Sequence, residues 1–423
     1  MIKKILEVLA TVENDGWLIE DVVIESEELF FVKKALDMNR GKKVHNINVT
    51  IYRNSTSGGN SFKGSSRTKI SPTMNTEEIK NALDVAALAA SFVKNKYYDL
   101  VDPVDYTFSD ESNEVDINKL VEAVYKYDTL EDGGINSSEF FVEKITRRIL
   151  NSNGVDVSYD SQSCMIEIIT DWKNDSDEVE LHDILRFAFM DYDELSIKVK
   201  DMIEETRLRA VATPLKEHEG IPVVLSGENV RTMLNYFIMR ANNQYIYEGY
   251  FNTELGENLQ GEGEGDKLSV TLKSALNNST SSAPCDTDGF ILKDVEVIKD
   301  GLLKNHYGSL RYSSYLDRVP TGNFSNIEVE PGSMKLSELE KPHIELIAFS
   351  DFQTNALTGD FGGEIRLARY YDGEKYIPYY GGAITGNIRN IMGNLRLSEA
   401  VNQVNSFKGP KYISFEEYSL VSN

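Results

Sequence analysis

The stretch TGDFGGEIRLARYYDGEKYIPY, residues 358–379, reads as a glycine-broken turn, an extended run, a turn at Asp372-Gly373 and a second extended run. Asp-Gly between runs of Ile, Leu and Tyr is a hairpin signal, and the expected turn is type I′, with both central residues at positive φ. Strand-and-turn sequence extends upstream, through GFILKDVEVIKDGLLKNHYGS and HIELIAFSDF, so the second half of the chain reads as β-rich. Why three glycines, Gly359, Gly362 and Gly363, crowd the entrance to this hairpin is the question the stretch raises.

Working back towards the N-terminus, VHNINVTIY (44–52) alternates strictly, with Ile47, Val49 and Ile51 on one face, which predicts a half-buried antiparallel strand. RNSTSGGNSFKGSSRTK follows as a mobile loop or a wide hairpin end. NTEEIKNALDVAALAASFVKN (75–95) predicts a helix capped by Asn75 with Glu78 three residues on, and with Ile79, Leu83, Ala86, Ala90 and Val93 along one stripe. Further helices are expected near 116–127 and 193–209, and GVDVSYDSQSCMIEIITDW (154–172) reads as paired strands. RAVATPLKEHEGIPVVLSGE (209–228) carries two prolines between a helix end and a new strand and marks the domain boundary. The expectation is an α+β chain: a mixed α+β domain over 1–212, then a β-rich, barrel- or sandwich-like antiparallel domain over 213–423.

Composition fits a folded chain of two domains, with 423 residues, 41% hydrophobic and 26% charged. The net charge of −24 repels phosphate backbones and anionic bilayers, so neither nucleic acid nor a membrane is expected as a partner. Two cysteines without CxxC spacing suit a reducing compartment. The opening MIKKILEVLATVENDG is interrupted by Glu7 and Glu13 and reads as an amphipathic helix rather than a secretory signal, and no apolar run reaches membrane-spanning length. A cytoplasmic location is expected.

Local chemistry is sparse. GEGEG (261–265) is followed by Asp266 where a dinucleotide loop needs glycine, and it reads as a solvated turn. DTDG (286–289) and DSDE (175–178) lack the ordered ligand series of a calcium loop and read as surface turns. The five histidines never stand at metal-binding spacings, and His218 in KEHE reads as solvated. Ser226 heads a helix as its expected cap, and Cys164 lies in a predicted strand without a nearby His, so no nucleophile stands out.

Three segments together resemble the TldD/PmbA family of peptidases, once labelled modulators of DNA gyrase: RRILNSNGVDVSYDSQS (147–163), IPVVLSGENVRTMLNYF (221–237), and the opening stretch with its continuation GGAITGNIRNIMGNL (381–395). The order Thr358-Gly359-Asp360-Phe361, Pro378, Ile384-Thr385-Gly386-Asn387 is similar to the family's. The resemblance implies a pair of related subunits, of which only the TldD-like one binds zinc, through HExxxH and a late cysteine. In the register set by Pro222-Val223-Val224-Leu225, the HExxxH positions fall on Asn235, Tyr236 and Arg240, and the last cysteine is Cys285. Arg has no lone pair to give and an Asn amide is a poor zinc ligand.

The resemblance therefore implies the PmbA (TldE) side: no catalytic residues and no metal in this chain, zinc only in a TldD-like HExxxH partner, and unfolded peptides as substrates. Thr358, Gly359, Asp360, Gly362 and Gly363 are candidates for a peptide channel or an intersubunit seam, where glycines let another backbone approach. The same glycines also fit a bulge or tight corner within one domain. The alternative function is an autonomous homodimeric peptide-binding or scaffold protein, and a third is an active peptidase drawing ligands from His306 and His343.

Overall fold

A computed structural model describes residues 1–108, 114–174, 178–216, 218 and 220–422. In its first half, helix α1 (Ile2–Leu9) precedes strands β1 (Gly16–Val32), β2 (Ala35–Ser57) and β3 (Asn60–Ile70) and helix α2 (Thr76–Ser91). Strand β4 (Val104–Phe108), helix α3 (Ile117–Tyr125), strands β5 (Gly133–Asn151), β6 (Val155–Lys173) and β7 (Glu178–Phe187), and helix α4 (Tyr192–Val211) follow. The strands form one sheet in the order β3-β2-β1-β5-β6-β4, with β7 added on β6; β4 runs parallel to β6 and the other pairs are antiparallel.

The elements follow from their sequences. Asn75 accepts from the Glu77 and Glu78 amides while the Glu78 carboxylate returns to the Asn75 amide, closing a capping box at the head of α2. Ile79, Leu83 and Ala86 of α2 then pack on Ile47, Val49 and Ile51 of β2. At the other end of the sheet, Leu120, Val124, Leu195 and Val199 of α3 and α4 cover Phe140, Ile166 and Ile168. Full burial of each Ile or Leu in such stripes is worth roughly 2 kcal/mol. The back of the sheet at Ile149, Val155, Val157 and Tyr159 meets Cys285 and Phe290 of the second half.

The second half begins with β8 (Thr213–Pro214), β9 (Val223–Ser226), α5 (Glu228–Met239), α6 (Asn243–Tyr247), β10 (Val270–Lys273), β11 (Val295–Lys299), β12 (Leu302–Leu303), α7 (Leu310–Tyr315) and β13 (Asn326–Val329). It ends with β14 (His343–Thr354), β15 (Asp360–Tyr371), β16 (Tyr376–Tyr380), β17 (Ala383–Asn387), α8 (Ile388–Ile391), β18 (Arg396–Leu397), β19 (Val401–Val404), β20 (Phe407–Pro410), β21 (Tyr412–Phe415) and β22 (Ser419–Val421). One sheet runs β12-β11-β10-β13-β20-β19 and the other β18-β21-β9-β14-β15-β16-β8, with β17 bridging β15 and β22. Pairing is mostly antiparallel, with parallel pairs β9–β14, β13–β20 and β8–β16. A single apolar core draws Val223, Leu225 and Ile365 from one sheet and Val270, Leu272 and Val297 from the other. The architecture is α+β with long, mostly antiparallel sheets.

Several local expectations change. Residues 154–172 are not paired strands but lie almost wholly in the single strand β6, whose partners are β4, β5 and β7. Of the two alternatives for the Ser/Gly-rich segment after residue 52, it is the hairpin end that stands, with β2 and β3 paired up to a tight turn at Gly58-Gly59 with φ of 59° and 81°. Two successive positive φ values occur there, and again at Asp300-Gly301 between β11 and β12. At Asp372-Gly373 only Gly373 has positive φ, and residues 372–375 form a longer loop in which the Asp372 carboxylate accepts from the Glu374 and Lys375 amides. Val93 lies past the end of α2 and is exposed. Ser226 closes β9 instead of capping α5, whose first turn is preceded by Gly227 at φ 63° with no side-chain cap. Among the described residues, no helix is long and apolar enough to cross a membrane.

Candidate functional site

Helix α5 buries Val230, Met233, Leu234, Phe237 and Ile238 in the core, and the same face carries Tyr236, which is 1% exposed. Arg240 caps the helix end, and its Nη1 donates to the Tyr236 hydroxyl at 3.1 Å. Its Nη2 reaches Glu257 at 3.3 Å. The loop between β14 and β15 lies on the same tyrosine. Gly359 holds φ +82°, and a Cβ there would stand 3.4 Å from Tyr236 Cε2 and 3.0 Å from Asn387 Oδ1. A side chain at that position would be strained by the backbone angle and crowded by both neighbours.

The loop is tied down by its own polar groups. Asn355 accepts from the Leu357 and Thr358 amides, Thr358 Oγ1 donates to Asp360 at 2.7 Å, and Asn387 Nδ2 donates to the Thr358 carbonyl and the Asp360 carboxylate. Hydrogen bonds from Thr358 and Asn387 hold the Asp360 carboxyl below its usual range, with a smaller contribution from Arg389. Two residues past Asn387, Arg389 donates from Nε to the Tyr236 hydroxyl at 3.3 Å and from Nη2 to the Leu357 carbonyl at 2.8 Å. The structure thus brings Tyr236, Arg240, Thr358, Gly359 and Asp360 into one place.

Gly362 and Gly363 serve a different end. They lie inside β15, where added Cβ atoms would meet the Ile384 carbonyl at 3.1 Å and, for Gly363, the Asp351 carbonyl and Phe349 Cδ1, both at 2.7 Å. Their neighbours are the flanking strands. Sequence reasoning missed Arg389, Glu257 and Leu357. Asn387 stood in the ITGN element, two residues from Arg389, but nothing local ties that arginine to a tyrosine on α5.

A metal ion does not fit the family-motif positions. Asn235 offers one weak amide oxygen, Arg240 no lone pair, and the Tyr236 hydroxyl already accepts from two guanidinium groups. Among the described residues no three His, Cys, Asp or Glu side chains converge to hold a metal. His306 adjoins the site, its Nε2 2.9 Å from the carbonyl of Thr253, whose hydroxyl donates to the Arg240 carbonyl; burial holds the imidazole below its usual range. His343 is buried at the head of β14, with Nδ1 2.8 Å from the Lys341 carbonyl.

Other expectations are corrected. His218 is not solvated: it stacks on Tyr370 at 4.2 Å and Tyr379 at 5.5 Å, and burial lowers its pKa. The 261–265 segment keeps Glu262, Gly263 and Glu264 exposed, as a solvated turn should, but it also lies with Gly263 and Gly265 against the backbone of Gly393 and Leu395. In DTDG the Asp286 side chain is buried and accepts from the Asp288 and Phe290 amides, and burial with help from Asp286 pushes Asp288 up to about 7. Of DSDE, residues 175–177 lie outside the described residues. Both cysteines are buried thiols pushed up to about 12 by desolvation, which makes them poor nucleophiles.

With this geometry in place, residues 218–421 match the family model for the PmbA/TldA metallopeptidase C-terminal domain. The whole chain superposes on the crystal structure of TldE from Thermococcus kodakarensis with a TM-score of 0.78 at 14% identity, covering 100% of this chain and 99% of that one. It also superposes on a candidate DNA gyrase modulator from Bacteroides thetaiotaomicron with a TM-score of 0.76 at 15% identity, covering 100% and 98% of the two chains. In sequence it is 24% identical over 326 residues to the uncharacterized protein MJ0231 of Methanocaldococcus jannaschii, covering 70% of this chain and 74% of that protein.

Proposed function

Because the chain belongs to the TldD/PmbA/TldE family, we propose that it is the PmbA/TldE-like subunit of a two-subunit peptidase, shaping a peptide channel while a TldD-like HExxxH partner supplies the zinc. The observation that carries this reading is the Tyr236–Arg240–Arg389 cluster. Where the family's metal motif would stand, a phenol takes hydrogen bonds from two guanidinium groups. A guanidinium carries fixed charge but cannot ligate a metal or generate a metal-bound hydroxide. What these residues can do is donate hydrogen bonds and hold a loop in place. The Thr358–Asp360 loop, fastened to Asn387 and Tyr236, then forms part of a channel wall.

Co-expression with a HExxxH-bearing homologue tests the proposal. The expected outcome is a stable complex whose cleavage of unfolded peptide is abolished by a chelator, with no cleavage by this chain alone and no stoichiometric zinc in it. About one zinc per chain, or hydrolysis by the isolated chain, overturns the reading. A chain that ignores every HExxxH homologue and forms a homodimer in light scattering is the autonomous scaffold instead.

A further inference from the structure

Arg240 and Arg389 meet at one phenolic oxygen, yet their hydrogen-bonding capacity is only partly used. Each guanidinium offers five N–H donors. Arg240 spends one on Tyr236 and one on Glu257, and its Nε–H is buried with no acceptor among the described residues. Arg389 is exposed and donates to Tyr236 and to the Leu357 carbonyl; among the described residues no carboxylate lies within ion-pair distance of it. The nearby Asp360 carboxylate is engaged by Thr358 and Asn387 instead. Two exposed apolar residues adjoin the pair's partners along the chain: Leu357, 43% exposed, whose carbonyl accepts from Arg389, and Leu255, 63% exposed, two residues before the Glu257 that holds Arg240.

We propose that Arg240 and Arg389 form a clamp for the C-terminal carboxylate of a peptide. Planar guanidinium forks match a carboxylate's two oxygens. Tyr236 sets the spacing of the two forks from below, and Leu255 and Leu357 give apolar contact to the residues that precede the carboxylate. A small inorganic anion gains only the first of these. A peptide end gains both, and this distinguishes it as the ligand on a chain that otherwise carries a net charge of −24. The inference rests on the reading of this chain as part of a peptide channel, and it names the end of the peptide that docks here.

The test uses the full chain and an unstructured fluorescein-labelled peptide of about ten Gly, Ser and Leu residues, made with a free C-terminal carboxylate or a C-terminal amide and titrated by anisotropy. The free acid is expected to bind about tenfold more tightly than the amide. Arg389→Gln, at an exposed position that leaves the core intact, is expected to equalise the two, and Arg389→Lys to restore part of the preference. Equal binding of acid and amide by the wild-type chain overturns the clamp while leaving the channel reading in place. Preference retained in both Arg389→Gln and Arg240→Gln overturns it as well. Displacement of the acid peptide by inorganic phosphate but not by acetate makes the pair a phosphate site and overturns the carboxylate assignment. A preference that survives while the mixture with a HExxxH partner fails to cleave peptide supports the clamp and sinks the channel reading alone.

Discussion

Two antiparallel hairpins of this molecule, each carrying a glycine within a strand, end in opposite surroundings. The outer part of the β1–β2 hairpin pairs Glu25 with Lys43 and Leu29 with Asn39, and residues 35–44 of β2 are all exposed. Beyond β1 on the other side lies β5, while among the described residues this part of β2 has no further partner strand. The β14–β15 hairpin instead sits mid-sheet, with β9 on one flank and β16 and β17 on the other. Each has a glycine facing its partner strand. Gly41 stands opposite Glu27, and an added Cβ would come no closer than 3.9 Å to Ser26 O. Gly363 stands opposite Phe352 with the Asp351 carbonyl and the Phe349 ring where a Cβ would go. The lesson is that a strand glycine gains its meaning from what lies above it, not from the strand pattern that contains it.

The widest way to break this comparison is to add the same side chain to both. Gly363→Val forces a methine and two methyl groups into two contacts already at 2.7 Å, one of them backbone. The expected loss is about 3 kcal/mol or more in urea unfolding. Gly41→Val enters open space and is expected to change stability by less than about 0.5 kcal/mol. Equal losses would show that the embedding of β14–β15 is not what fixes Gly363.

A second test concerns the helix that lies against the embedded hairpin. Glu205 on α4 is half-buried with Asp183, Asp201 and Glu345 of β14 nearby, and desolvation first, then these carboxylates, push it up to about 7 against the opposing pull of Arg369 on β15. An unfolded glutamate titrates near 4.5. Between these values the folded chain keeps a proton that the unfolded chain has released. The group's contribution is therefore fully present below pH 4.5, falls as pH rises, and is lost above about 7. Glu205→Gln removes the ionisation and should raise stability by roughly 2 kcal/mol at pH 8 while leaving it unchanged at pH 4. The measurement is a pair of urea titrations at those pH values, and a gain of equal size at both would place the effect in packing rather than charge.

How much of this was legible in the sequence differs between the two regions for a physical reason. The Ile47-Val49-Ile51 alternation and the Asn75–Glu78 capping box report on a residue's own strand or helix, and both stand where the pattern put them. The expected hairpin over 360–380 exists, although its tight turn does not, because Asp372 satisfies the loop by bonding two amides rather than by adopting positive φ. The site is another matter. Tyr236 and Arg240 came from one family motif and Gly359 from another, and only the fold lays the loop on the tyrosine. Arg389 was invisible, since an exposed arginine after a short strand is indistinguishable by pattern from a solvated one. Asp286 and Asp288 failed in the reverse sense: DTDG has the grammar of a surface turn, and only the back of the first sheet, packed over Cys285 and Phe290, buries it.

The smallest expected effect is the one that separates site from scaffold within the embedded region. Tyr236→Phe keeps the ring beneath Gly359 and in the core with Phe237, and removes only the hydroxyl that gathers Arg240 and Arg389. Two hydrogen bonds from partly solvated donors are lost, and water can replace them at the exposed Arg389, so the stability change should stay within about 1 kcal/mol. Arg240 keeps Glu257, whereas Arg389 keeps only the Leu357 carbonyl, so the second guanidinium loses its fixed spacing from the first. The preference for a free-acid over an amidated peptide should then fall several-fold in a chain as stable as wild type. If the variant instead unfolds as readily as Gly363→Val, the hydroxyl is a structural member of the hairpin's surroundings. If it is stable and keeps the full preference, the two arginines need no common anchor and Tyr236 is only packing.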